Sequence, residues 1–495
     1  MEECKMLING EWIESENTMK SINPATEEPI GTVYCADQEL VEEAVNAAEK
    51  ASSKWRELSI WRRARYVKEI ATLMKDKAEE IQKLITTEMG RPLKESRTEV
   101  SETSGMTNII AEEGKAYIAG ETLPIDNSIY PNKFALTIRE PIGVVGVIKP
   151  WNFPLQLSIW AIAPALLTGN TVVYKPSELT PFVGAEIGKL AQEAKLPPGV
   201  LNVIHGDGAV GAMLVESNVD MIAFTGSAEA GKKIMQNSAN KLHKLSLELG
   251  GSDPFIVLPT ADLEEAVNAA NWGRFTNCGQ VCTSPKRIIV LEEIAEEFID
   301  NLTKKASKIK VGNGLDPATD MGPLVSSKQR QKVISQVDDA KKNGATIKLG
   351  GKIPPNLKKG YYYEPTIITN TNDKMKVVNE EVFGPVATII TAKTTEEAVG
   401  IANCTPYGLG ASIWTENLND AMDLMQKVKA GMIWINEINT AYANCPWGGI
   451  KNSGMGKELG REGIIEFTTL KQINIDYSKN KTRPWWFPYQ KEKNQ

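Results

Sequence analysis

Cysteine and histidine are scarce in this chain. Six cysteines (Cys4, Cys35, Cys278, Cys282, Cys404 and Cys445) are spread over 495 residues, too thinly for the disulfide framework of a small secreted domain. No C-x-x-C pair occurs, and with only two histidines, His205 and His243, no nitrogen and sulfur ligands cluster as a structural zinc would require. So few histidines also make a Ser-His-Asp hydrolase a poor reading. Long apolar runs are missing as well. The most apolar stretch, Leu155–Leu167, is 13 residues and contains Gln156 and Ser158, too short to span ~30 Å of hydrocarbon. The opening Met1-Glu2-Glu3-Cys4-Lys5 is acidic and has no h-region of a secretory signal. No long basic block occurs and the net charge is −6, which disfavours nucleic acid and anionic lipid as partners. These absences predict a cytoplasmic protein that uses no metal site, no membrane and no nucleic acid.

What is present is ample apolar material, 42% of the residues, in a length that allows two to four domains at ~100–200 residues each. Asp37 precedes Leu40, Val41, Ala44, Val45, Ala48 and Ala51, an N-cap followed by a helical stripe. A second helix is expected from Ser59 to Met89, stopped by Gly90, and a third from Pro92 to Ala119. From Pro141 the rhythm changes. Strand candidates Ile142–Ile148, Thr171–Tyr174, Leu201–Ile204, Met221–Thr225 and Leu245–Leu249 alternate with helical stretches near Gln156–Leu167, Thr180–Ala194, Ala209–Glu216 and Ala228–Ala239. Such alternation reads as βαβ units on a parallel sheet, an architecture that binds dinucleotides beyond the carboxyl ends of its strands. A second α/β series runs from Phe255 to Asn436, with a boundary at Gly250-Gly251. Gln472–Tyr477 reads as an added strand, followed by the tail Arg483-Pro484-Trp485-Trp486-Phe487-Pro488-Tyr489.

Two glycine turns compete for a phosphate. Gly206-Asp207-Gly208-Ala209-Val210-Gly211 matches G-x-G-x-x-G between a strand and a helix, the context of the dinucleotide fingerprint. Phe224-Thr225-Gly226-Ser227-Ala228-Glu229-Ala230-Gly231 has the same strand–turn–helix setting and adds a hydroxyl. Both offer backbone N–H groups at a helix N-terminus. Composition and spacing do not decide between them.

Three segments each combine turn residues with one reactive side chain. In Asn277-Cys278-Gly279-Gln280-Val281-Cys282-Thr283 a glycine turn either exposes a thiol or buries small hydrophobes. In Leu247-Glu248-Leu249-Gly250-Gly251 an acid at an apolar strand end is either structural or a base with a raised pKa. In Pro150-Trp151-Asn152-Phe153-Pro154 an amide between prolines is either part of a rigid turn or an oxyanion-hole donor.

Together these segments resemble the aldehyde dehydrogenase superfamily. The resemblance runs from Leu7-Ile8-Asn9-Gly10-Glu11-Trp12 to Ile475, through Lys175-Pro176-Ser177-Glu178, Glu380-Glu381-Val382-Phe383-Gly384-Pro385 and Pro446-Trp447-Gly448-Gly449. It implies two doubly wound α/β domains, a Rossmann-like cofactor domain and a catalytic domain, plus a small β oligomerisation arm. The implied bounds are 1–122 with 142–250 for the cofactor domain, 251–454 for the catalytic domain, and 123–141 with 470–495 for the arm and tail. It implies oxidation of a small-molecule aldehyde to the acid by a homodimer or homotetramer, with NAD as cofactor and NADP as the alternative.

Residue by residue, the resemblance implies Cys282 as nucleophile, Asn152 and the Cys282 N–H as oxyanion donors, and Glu248 as the base that activates water against the thioester. It leaves Cys278 structural. It places the pyrophosphate at Gly226, Ser227 and the helix carrying Gly231, and the Gly208 turn near the adenine. Lys175, Ser177 and Glu178 are implied at the adenosine ribose, Glu381 and Phe383 at the nicotinamide ribose, and Ile148 and Trp151 in the cofactor cleft. Leu157, Trp160, Val281, Thr283 and the loop Asn439–Trp447, including Asn444, would line the substrate tunnel. No arginine stands out to hold a substrate carboxylate, so a semialdehyde such as succinate semialdehyde and a hydroxyaldehyde such as glyceraldehyde or lactaldehyde both stay open. A CoA-acylating enzyme would need no base at Glu248, and a catalytically silent homologue would not need Cys282, Asn152 and Glu248 together.

Overall fold

The computed structural model describes residues 2–479 together with Trp486 and Phe487. Two large parallel sheets, each flanked by helices, make an α/β fold, and a three-stranded antiparallel arm projects from it. The eight-stranded sheet runs Gly454–Met455, Lys244–Leu249, Met221–Gly226, Val144–Ile148, Thr171–Lys175, Leu201–Val203, Met6–Ile8, Glu11–Ile13. Its five central strands are parallel, and the chain order reverses between Val144–Ile148 and Met221–Gly226. That reversal is the switch point at which doubly wound sheets hold ligands. The central strand Val144–Ile148 is buried along its whole length, as expected for a parallel strand covered by helices on both faces.

The seven-stranded sheet runs Thr346–Leu349, Thr366–Thr369, Val386–Ala392, Pro285–Leu291, Asp253–Val257, Gly410–Trp414, Met432–Ile435. The chain passes from one sheet to the other across Gly250-Gly251, between Lys244–Leu249 and Asp253–Val257. The short strand Gly454–Met455 brings it back to pair with Leu247 and Glu248.

Sequence patterning and structure differ at three places. The helix expected from Ser59 to Met89 is two helices, Ile60–Asp76 and Ala78–Met89. Lys77 between them has left helical geometry (φ −97°, ψ 15°), with no glycine or proline to signal it. Gly90 does end the second helix, at φ 96°, where a Cβ would come within 2.7 Å of Pro323. The strand expected from Ile142 begins at Val144, because Ile142 and Gly143 (φ 138°) form the break that separates it from the arm strand Lys133–Pro141. The added strand is longer, Thr468–Asp476, and pairs over nine positions with Lys133–Pro141 of the same chain. It stands at the edge of the arm sheet, and among the described residues no strand pairs with its other side. Trp486 and Phe487 of the tail are exposed, and Trp485 lies outside the described residues.

Candidate active site

Three loops converge between the sheets. After Val144–Ile148 the chain runs through Lys149, Pro150 and Trp151 into buried Asn152. The Asn152 side-chain amide donates to the Gln280 backbone carbonyl at 3.1 Å, while the Asn152 backbone carbonyl accepts from Arg91 (2.8 Å) and from the Asn277 side-chain amide (2.9 Å). The segment before Cys282 is held in a strained form: Asn277, Cys278 and Gly279 have φ of 51°, 54° and 70°. A Cβ at Gly279 would stand 2.3 Å from the Gly384 carbonyl oxygen, so a side chain there is blocked by backbone. Backbone strain of this kind persists only where its surroundings hold it. Here Gln280 does so, donating to the Asn277 carbonyl (3.0 Å) and accepting from Val325 N–H (2.9 Å). Cys278 is buried in the apolar core behind this turn, and burial raises its pKa far above the thiol range.

Cys282 stands where two cavities meet. One, of about 590 Å³, is lined by Arg91, Phe153, Leu157, Trp160, Thr283 and Trp447 among others. The other, of about 200 Å³, is lined by Trp151, Asn152, Gly226, Ser227, Glu248, Glu381 and Phe383 among others. Cys282 lies on the wall of both. Burial pushes its thiol up to about 12, with Lys286 pulling down and Asp253, Glu381 and Glu248 adding to the rise.

Glu248 is the last residue but one of the strand Lys244–Leu249 and is buried, its Oε1 without a hydrogen-bond partner. Gly448 (φ 147°) makes room for it: a Cβ there would be 2.3 Å from Oε1. Burial first, and the Glu458 carboxylate second, raise the Glu248 pKa well above the usual range, against Lys149 and Lys457. Lys149 is ion-paired with Glu458 and donates to Thr225 Oγ1 at 2.7 Å. A carboxyl with an unpaired oxygen that titrates late, beside a cavity shared with a thiol, is suited to take a proton from water once it is ionised.

The second cavity opens at the switch point. Ser227 caps the eleven-residue helix Ala228–Ser238, its Oγ accepting from Ala230 N–H at 3.2 Å, and the first N–H groups of such a helix favour an anion. Gly231 serves packing, since a Cβ there would strike Leu249 at 2.6 Å. Glu381 accepts from Gly251 N–H at 3.2 Å, and the rings of Trp151 and Phe383 meet edge-on at 5.5 Å.

Several expected residues stand apart from this lining. Ile148, Lys175, Ser177, Glu178 and Gly208 are not on the walls of the cavity that holds Glu248 and Cys282. Lys175, Ser177 and Glu178 form their own cluster, Lys175 Nζ 3.8 Å from Glu178 and Ser177 Oγ 3.2 Å from it. The Gly206–Gly211 turn follows Leu201–Val203, two strands from the switch strand Val144–Ile148. Of the tunnel residues, Asn444 is exposed and off the cleft wall, whereas Asn439, Thr440, Ala441 and Trp447 line it. Arg91, not singled out from the sequence, is on that wall, neutralised by Glu99 at 2.6 Å and laid over the Phe153 ring at 4.6 Å. Lys149, Glu458 and Gln280 were also missed. Lys149 could have been noticed, since it directly precedes Pro150-Trp151-Asn152.

A thiol and a buried acid flanking a dinucleotide crevice define a cysteine-dependent oxidoreductase. The comparisons with known proteins narrow this class. Residues 12–473 match the model of the aldehyde dehydrogenase family, and the chain belongs to that family. The chain is 41% identical to betaine aldehyde dehydrogenase of Bacillus subtilis (strain 168), over 94% of this chain and 96% of that relative. It is 39% identical to a peroxisomal aminoaldehyde dehydrogenase of Pisum sativum, over 98% of both chains. Betaine aldehyde dehydrogenase from Staphylococcus aureus, solved with NAD+, superposes with a TM-score of 0.93 at 38% identity, covering 98% of this chain and 96% of that one. The protein is an NAD(P)-dependent enzyme that oxidises an aldehyde to the carboxylic acid through a cysteine-bound intermediate.

Proposed function

We propose that Cys282 is the nucleophile, Asn152 with the Cys282 N–H the oxyanion donors, and Glu248 the base of the second half-reaction. The observation that carries this reading is the position of Cys282 on the wall common to both cavities. An aldehyde entering from the larger cleft meets the thiol on one side and the cofactor cavity on the other. Addition of the Cys282 thiolate gives a thiohemiacetal oxyanion, and later a thioester on sulfur. Glu248, uncharged until its raised pKa is passed, takes the proton of the water that attacks the thioester.

The residues present fit a dinucleotide. The donor set is a helix N-terminus at Gly226-Ser227 for pyrophosphate, a carboxylate at Glu381 for a ribose, and the Trp151 and Phe383 rings for the nicotinamide end. NAD+, when bound, supplies the hydride acceptor. Lys175 and Glu178 are proposed for the adenosine ribose. There the Glu178 carboxylate favours NAD over NADP, because it repels a 2′-phosphate.

For the substrate we infer a small aldehyde bearing an ammonium or quaternary ammonium group. Phe153, Trp160 and Trp447 wall the cleft with Glu95 and Glu102; of the lysines on the same wall, Lys94 and Lys308 are exposed and half-buried Lys305 is held by Asn268 and Glu264. Aromatic faces attract such cations by ~0.5–2 kcal/mol, and the names of the relatives include betaine aldehyde and aminoaldehyde substrates. Steady-state NADH formation with betaine aldehyde, an aminoaldehyde, propanal, glyceraldehyde and succinate semialdehyde tests this, with NAD and NADP in parallel. The cationic aldehydes with NAD should show the highest kcat/KM. A higher value for succinate semialdehyde would replace this reading with the semialdehyde one.

A homodimer or homotetramer is proposed from the arm, where the cross-strand pair Phe134 and Ile475 is exposed on one face and Leu123 and Leu470 are exposed on the other, apolar surface that a neighbour would cover. Light scattering at micromolar concentration tests it, a monomer mass being the contrary result. A cytoplasmic location is the accompanying proposal, supported by six cysteines without a disulfide. Among the described residues no helix is long and apolar enough to cross a membrane.

A further inference from the structure

Beneath the nucleophile lies a buried cation with no part in the roles above. Lys286, second residue of the strand Pro285–Leu291, has no solvent-exposed side-chain surface. Its Nζ donates to the Val281 carbonyl at 3.0 Å and to the Cys282 carbonyl, and stands 3.7 Å from Glu381 Oε1. Asp253 is buried nearby, and no side-chain donor bonds either of its carboxylate oxygens. The Val281 carbonyl and the Cys282 N–H belong to one planar peptide. A charged donor on that carbonyl draws density from the amide, and hydrogen bonds in such a chain strengthen one another.

We propose that Lys286 is a positioning residue for acylation: it orients and polarises the Val281–Cys282 peptide, whose N–H faces the oxyanion, and its charge favours the Cys282 thiolate. The proposal rests on the reading of Cys282 as nucleophile. In this step the thiol proton leaves to solvent or base. The sulfur lone pair forms the S–C bond, and the carbonyl π pair moves to oxygen. Lys286 neither gives nor takes a proton. The charged groups acting on the thiol are Lys286 on one side and Asp253, Glu381 and Glu248 on the other; those acting on the ammonium include Glu381, Asp253 and Arg274. Asp253, Glu381 and Glu248 oppose the thiolate when ionised, and Lys286 offsets them.

The test follows alkylation of Cys282 by iodoacetamide against pH in the full-length enzyme, read by fragment-ion mass spectrometry, together with the NADH burst. Lys286→Met should raise the alkylation midpoint by about one unit or more. It should also slow the burst about tenfold, less than the ~10²–10³ lost when an oxyanion donor is removed outright. Asp253→Asn should move the midpoint the other way, downward. An unchanged midpoint and burst in Lys286→Met, or shifts of the same sign in both variants, would overturn the proposal, because general loosening has no sign. Should Lys286→Met not fold, an unchanged or raised midpoint in Asp253→Asn is enough to overturn it. A Cys282→Ser enzyme that keeps its burst would instead refute the nucleophile assignment, whatever the Lys286 variants do.

Discussion

The two parallel sheets present opposite edges to the site. The eight-stranded sheet offers carboxyl ends: Ile148 leads into Asn152, Gly226 into the Ser227 cap, and Glu248 stands beside Leu249 at the end of its strand. The seven-stranded sheet offers amino ends, with Cys282 three residues before the strand Pro285–Leu291. Helices begin at the first edge and expose N–H groups; carbonyls gather at the second. Three buried cations answer those carbonyls. Lys286 donates to Val281 and Cys282, Arg274 to Val382 at 2.9 Å, and Arg287 to Ser252 and Ala402 at 2.7 and 2.9 Å. The same winding thus makes one edge that receives an anion and another that holds a nucleophile rigidly, and the chemistry lies between them.

The sharpest way to break this division is to remove the nucleophile. Cys282→Ala should abolish both the first NADH burst and turnover, a loss of about 10⁴-fold or more, measured by stopped flow at saturating aldehyde. Residual turnover near the wild-type rate would move the nucleophile elsewhere.

Next in size is the acid on the opposite edge. Glu248→Gln should retain a burst near one NADH per active site and then slow by ~10²–10⁴, because acylation proceeds while water goes unactivated. Quenched-flow detection of a thioester on Cys282 checks it.

The pH dependence separates burial from the neighbouring charge. Glu248 gains its base form only as pH rises through its raised pKa, so deacylation should rise with pH. Glu458→Gln removes a repelling carboxylate and frees the Lys149 charge. The Glu248 pKa should fall, and the rising limb of kcat should move about one unit to lower pH. A limb that stays in place would assign the whole shift to burial.

The smallest effect belongs to the helix cap. Ser227→Ala removes the bond to Ala230 N–H and should cost about 1 kcal/mol, visible as a lower Tm. A rise in KM for NAD with kcat unchanged would mark the cap as a binding element only.

The alternating elements between residues 144 and 249 were legible because each is short, apolar and closed by glycine, proline or a polar cap. Gly169 ends Gln156–Thr168 at φ 102°, and Asp207 caps Gly208–Glu216. The break at Lys77 was not legible, since it follows from packing and not from a breaker residue. Spacing left the two glycine turns undecided; the strand order puts Gly226 at the reversal and Gly206–Gly211 two strands away. Lys149 and Glu458, 309 positions apart, meet only in the fold.

From the sequence alone come the residue types able to do the chemistry and the local geometry around them: the Gly279 turn, the strand carrying Glu248, and Asn152 between its prolines. Which thiol is exposed to two cavities and which is sealed in the core, Cys282 or Cys278, is decided by tertiary structure. So are the raised pKa of Glu248 and the cation under Cys282. The physical reason is one of range. Dihedral preferences act over a few residues, whereas desolvation and Coulomb interactions depend on groups that only packing brings within a few ångströms.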